Sequence, residues 1–168
     1  MKKRMFQSWL IAITVMLFSV SCGGDDNNDD PDTGNLTPGH CRITCTISGA
    51  ASSDFVSSDA FSLAEKNSNY MNINGGFAGN SGTEMIMITL NVNVATGTYE
   101  IADQNDDAEF AYTRSGNGWG ESTGAPFTIK VTSVTPNTIE GTFSGSLTND
   151  TDHSVITVSN GKFAAKFI

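Results

Sequence analysis

Beyond residue 40, apolar and polar residues alternate with period two in several stretches, and no window sustains the i, i+3, i+4, i+7 spacing of an amphipathic helix. The clearest run, 85–94, puts Ile86, Ile88, Leu90, Val92 and Val94 on one face. Its other face grades from Met85 and Met87 to Asn91 and Asn93. Residues 127–132 alternate in the same way, and 139–147 turn Ile139, Phe143 and Leu147 inward. Gly141 and Gly145 share that inner face, which leaves room there for a bulky neighbour or a bend.

Turn residues punctuate these runs. Val134-Thr135-Pro136-Asn137 predicts a hairpin between the strands at 127–132 and 139–147. Near the C-terminus, Asn160-Gly161 between alternating flanks predicts a two-residue type I′ hairpin. That hairpin would set Val158 across from Phe163, Ile156 from Ala165 and Ser154 from Phe167, and gather Ile156, Val158, Phe163, Ala165 and Phe167 on one buried face. Further strands are expected at 41–48, 60–65, 70–74, 98–101 and 109–114. The expected fold is all-β, an antiparallel β-sandwich of eight or nine short strands, with a lipocalin-like closed barrel as the alternative.

The N-terminus has a different character. Lys2, Lys3 and Arg4 precede an uncharged apolar run at 9–18, which is too short to span a bilayer but has the length of a signal-peptide core. Ser19-Val20-Ser21-Cys22 follows, so residues 1–21 are expected to be a lipoprotein signal, with lipidation on Cys22. Two or three acyl chains there would moor the chain to a membrane without a transmembrane helix. Residues 22–40 hold five aspartates and almost no apolar side chains, the composition of a solvated acidic tether. One all-β domain then fills 41–168.

Charge narrows the function. The chain has 18 Asp+Glu against 9 Lys+Arg, and loss of residues 1–21 takes three positive charges with it to leave a net of −12. Such a balance argues against a nucleic-acid partner. Cys41 and Cys45 would lie on one strand face about 13 Å apart, too far for a disulfide, and read as two buried thiols.

Candidate chemistry is sparse. His153 between Asp152 and Ser154 fits a loop better than a catalytic triad. Asp103, Asn105 and Asp107 open like a calcium loop, but Ala108 takes the position of the required glycine and Arg114 that of the bidentate glutamate. A solvated loop is the simpler account, with a surface calcium site of another build as the alternative. Trp119, the one tryptophan beyond residue 21, lies in a glycine-rich stretch with Asn117 and near Tyr112. If exposed, it could stack on a sugar ring; otherwise it would fold back over one end of the core. No cofactor signature is present, and the Gly-rich stretch lacks the Lys-Ser/Thr of a phosphate loop.

Ser21-Cys22-Gly23-Gly24-Asp25-Asp26, Gly97-Thr98-Tyr99, Ile139-Glu140-Gly141-Thr142-Phe143-Ser144-Gly145 and Val158-Ser159-Asn160-Gly161-Lys162-Phe163 together resemble the small surface lipoproteins of Bacteroidota. Ser19 stands where that pattern usually has leucine. The resemblance implies an outer-membrane, lipid-anchored protein facing the cell exterior, and it transfers no catalytic residue. The leading expectation is a non-enzymatic binding or interaction module for a glycan or a protein. A small-molecule carrier comes second, and a hydrolase using carboxylates at 103–109 third.

Overall fold

Period-two alternation carries straight through to burial. The computed structural model describes residues 33–79, 82–101, 107–121 and 126–168. The signal segment, Cys22, most of the tether, Asp103 and Asn105 lie outside them. Eleven strands are found among the described residues: β1 (His40–Gly49), β2 (Ser53–Val56), β3 (Ser62–Lys66), β4 (Tyr70–Gly79), β5 (Gly82–Asn91), β6 (Gly97–Ile101), β7 (Ala108–Arg114), β8 (Asn117–Gly120), β9 (Phe127–Val134), β10 (Thr138–Thr148) and β11 (Val155–Lys166). β2 and β8 had no signal in the alternation, because four residues are too few to display a period.

All the pairings are antiparallel, and they build one open, strongly curled sheet, a half-barrel consistent with an all-β sandwich or barrel. Its order is β2-β1-β11-β10-β8-β7-β5-β4-β3, with β9 and β6 as a side branch from β10. β10 therefore shares one flank between two partners. Residues 139–145 pair with β9, while Thr148 alone bridges to Gly120 of β8. The sheet curls until β1 and β2 approach β3 and β4. Ser57 and Ser58 cross this gap: Ser57 N–H donates to the Ile43 carbonyl (2.9 Å) and Ser58 N–H to that of Gly76 (2.9 Å).

The hairpin expected at Val134–Asn137 forms. Thr135 Oγ1 accepts the N–H groups of Asn137 and Thr138 (3.3 and 3.0 Å), so a hydroxyl satisfies the turn backbone. The Asn160-Gly161 hairpin does not form: β11 runs unbroken through both residues, paired with β1 on one side and β10 on the other. Val158 faces Ile47 and Gly145, and Phe163 faces Ile43 and Gly141. Asn160 has φ +54°, and both registers slip beside it, the mark of a β-bulge.

A bulge explains why the expected inward set was nevertheless right. In a regular strand, Ile156 and Val158 would face away from Phe163 and Ala165, because odd and even positions point apart. The extra residue reverses the parity, and Ile156, Val158, Phe163, Ala165 and Phe167 are all buried. Their interior is filled by aromatic rings. Phe110 lies 4.3 Å from Phe127 and 5.0 Å from Phe143, centroid to centroid. Outside the half-barrel, Thr33–Asn35 forms a short 3-10 turn against β10 and β11, where Thr33 Oγ1 donates to Glu140 Oε1 (2.7 Å).

Candidate functional site

Tyr112 and Trp119 are brought together, but in the interior. They are cross-strand partners on β7 and β8, with ring centroids 5.6 Å apart. Trp119 is 7% exposed, and its indole N–H donates to Ser154 Oγ (3.2 Å), so it covers one end of the core. The Tyr112 hydroxyl also points inward and donates to Glu84 Oε2 at 2.9 Å. Burial, and then this bond to Glu84, push the phenol above its ordinary value. Asn117 is exposed beside the β7–β8 turn, whose Ser115 and Gly116 both have positive φ (51° and 86°), as in a two-residue type I′ hairpin.

Sequence reasoning missed Glu84. It is 4% exposed and extends the inward set of β5, in phase with Ile86, Ile88 and Leu90. Arg114 Nε stands 3.5 Å from Glu84 Oε1, and Arg114 also donates to the Ser52 carbonyl (3.0 Å). A buried carboxyl needs such partners, since an unpaired one is costly. A charged residue in phase with a core stripe was the available signal.

Cys41 and Cys45 both point inward and are free thiols. Cys41 Sγ donates to the Asn74 carbonyl (3.1 Å), and burial pushes both thiols up to about 12. His40 Nδ1 lies 3.0 Å from Ser62 Oγ, and His153, at φ +58°, is exposed in the β10–β11 connection. Among the described residues no three His, Cys, Asp or Glu side chains converge as metal ligands.

Polar and aromatic side chains do converge on the outer face of β4, β5 and β7, around a groove of 670 Å³, within the roughly 300–1,000 Å³ of ligand sites. Its lining includes Tyr70, Asn72, Met87, Thr89, Asp107 and Glu109. Register explains the grouping. Tyr70 pairs with Asn91, Asn72 with Thr89, and Thr89 in turn with Glu109, so alternate outward positions of three strands form one surface. Tyr70 is 44% exposed, and the β3–β4 turn fixes it: Asn67 Oδ1 accepts the N–H groups of Asn69 and Tyr70 (2.8 and 2.9 Å). Thr89 Oγ1 donates to Asn72 Oδ1 (3.3 Å), and Asn91 N–H donates to the Asp107 carbonyl (2.8 Å).

Glu121 adds to the negative potential nearby. Its carboxylate accepts the Phe110 N–H, burial raises its carboxyl above the ordinary range, and the neighbouring Glu109 raises it further. Asparagine is depleted in strands, so Asn72, Asn74 and Asn91 on the strands of this face were a sequence signal for it. An exposed phenol ring among amides, hydroxyls and carboxylates offers a stacking surface and hydrogen-bond partners to a polyhydroxylated ligand. Asp107 is the member of the expected calcium set that reaches this groove.

No protein-family model matches the chain, and neither a curated protein nor a solved structure matches it.

Proposed function

We propose that the protein is a lipid-anchored surface lipoprotein of the outer membrane acting as a non-enzymatic binding module, with a glycan bound in the groove at Tyr70. The observation that carries this is the exposed Tyr70 ring flanked by Asn72, Thr89, Asp107 and Glu109 on a stiff sheet. Sugar rings stack on aromatic faces, and their hydroxyls hydrogen-bond to amides and carboxylates. The packing of Phe110, Phe127 and Phe143 in the interior favours a surface site over a carrier cavity. A protein ligand is the second reading, favoured by Met87 in the groove lining and by Leu63 and Met85, exposed outside it.

A glycan array probed with the chain from residue 22, bearing Cys22→Ser, tests the module. Binding that Tyr70→Ala abolishes supports it, and hydrolysis of a bound glycan overturns it. Mass spectrometry of the native protein tests the anchor, since an unmodified Cys22 removes the basis for membrane attachment.

A further inference from the structure

Basic residues are scarce in this chain, and the fold gathers them. Six Lys and Arg stand beyond residue 32, against 13 Asp and Glu. Four of the six, Arg42, Lys130, Lys162 and Lys166, occupy outward positions on β1, β9, β10's neighbour β11 and its C-terminal end. Strand register aligns two of them. Thr98 pairs with Lys130, Lys130 with Thr142, Thr142 with Lys162, and Lys162 with Thr44, a single row across β6, β9, β10, β11 and β1. Lys130 and Lys162 therefore flank Thr142 with backbones two strand spacings, about 10 Å, apart. No carboxylate interrupts the row. The acids of this face lie in adjacent rows, Glu100 across from Thr128, Glu140 bonded to Thr33 and Asp54 bonded to Thr46.

A groove of 400 Å³ follows this row, lined by Thr98, Thr128, Lys130, Thr142, Ser144 and Lys162 and ended by the bulge at Asn160. We infer that this groove binds an acidic polysaccharide, a glycan bearing carboxylate or sulfate groups at intervals along its length. Its anionic groups meet Lys130 and Lys162, and the intervening sugar hydroxyls meet the Thr and Ser hydroxyls. A membrane surface is a poorer match, because interfacial binding needs apolar side chains to enter the lipid. None of the large exposed apolar residues lines this groove. A single-stranded nucleic acid would require exposed rings for its bases to stack on, and the one aromatic residue in the lining, Phe143, is buried. The inference is independent of the Tyr70 groove, which lies on the outer face of other strands.

Polygalacturonate, dextran sulfate, neutral dextran and phosphatidylglycerol vesicles serve as probes for the chain from residue 22 with Cys22→Ser, at low and at physiological salt. Polygalacturonate or dextran sulfate should bind and neutral dextran should not, with affinity falling as salt rises. The Lys130→Gln, Lys162→Gln double variant should lose about tenfold in affinity, as for two exposed ion contacts. Lys66→Gln, at an exposed lysine outside this groove, should leave this binding unchanged. Far-UV circular dichroism and a urea midpoint equal to the parent's confirm that the double variant is folded, and the single variants provide the readout if it is not. Equal binding by parent and lysine variants overturns the inference. So does failure of both polyanions to bind at low salt, or binding confined to phosphatidylglycerol vesicles.

Discussion

Gly141 stands directly across from Phe163, and a β-carbon at 141 would fall both into the phenyl ring, 2.5 Å from Cε1, and against the backbone carbonyl of Lys130. The relation is reciprocal one step along, where Phe143 covers its own partner Gly161. The two rings, 6.4 Å apart, thus lie over bare backbone on each other's strand. Gly141→Ala should destabilise by about 1–3 kcal/mol, the usual cost of forcing extra volume into a packed core. Gly120→Ala, where an added β-carbon meets nothing within 4 Å, should be nearly neutral. Urea unfolding midpoints of the two variants check the contrast.

The pair Glu84 and Tyr112 separates hydrogen bonding from packing. Tyr112→Phe keeps the ring beside Trp119 but withdraws the hydroxyl that donates to Glu84 Oε2. The expected loss is about 1–3 kcal/mol, because a buried acceptor is left without its donor. Glu84→Gln still offers an oxygen to the hydroxyl and should cost less. Chemical denaturation of both single variants, with an unchanged near-UV spectrum for Tyr112→Phe, tests this.

Cys41 and Cys45 should be inert in the native state. With both thiols pushed up to about 12 by burial, little thiolate exists at pH 8, and a thiol-specific dye should react only after unfolding. The linkage has a definite sign. In the folded state these thiols hold their protons more tightly than in the unfolded chain, where a thiol titrates near 8.5. Stability should therefore fall as pH rises from about 8.5 toward 12, since the unfolded state ionises first. Labelling kinetics with and without urea, and denaturation midpoints across that range, measure both effects.

The alternation at 85–94, 127–132 and 139–147 made the strands and their inward faces legible, because burial of one sheet face imposes period two directly on the sequence. The closure of the sheet was not legible: which strands pair across long separations, such as β1 with β11, depends on contacts that no local pattern records. Trp119 shows the same limit. Its glycine neighbours left open an exposed ring or one folded back over the core, and the pairing of β8 with β7 decides for the second by turning the indole onto Tyr112. The Tyr70 groove was hidden for a related reason. Tyr70, Thr89 and Glu109 are unremarkable on their separate strands and become one surface only through register.

Asn160 tests the bulge itself. A positive φ is open to glycine and tolerable for asparagine, and it costs a β-branched residue about 1–2 kcal/mol or more. Asn160→Gly should fold with parental stability, while Asn160→Val should lose at least that amount. Deleting Asn160 should be far worse than either. Without the extra residue the parity of β11 reverses, and Phe163, Ala165 and Phe167 would point to solvent whenever Ile156 and Val158 point inward. The deletion should yield no cooperative unfolding transition. A deletion variant that unfolds cooperatively near the parent midpoint would mean that β11 can be threaded without the bulge.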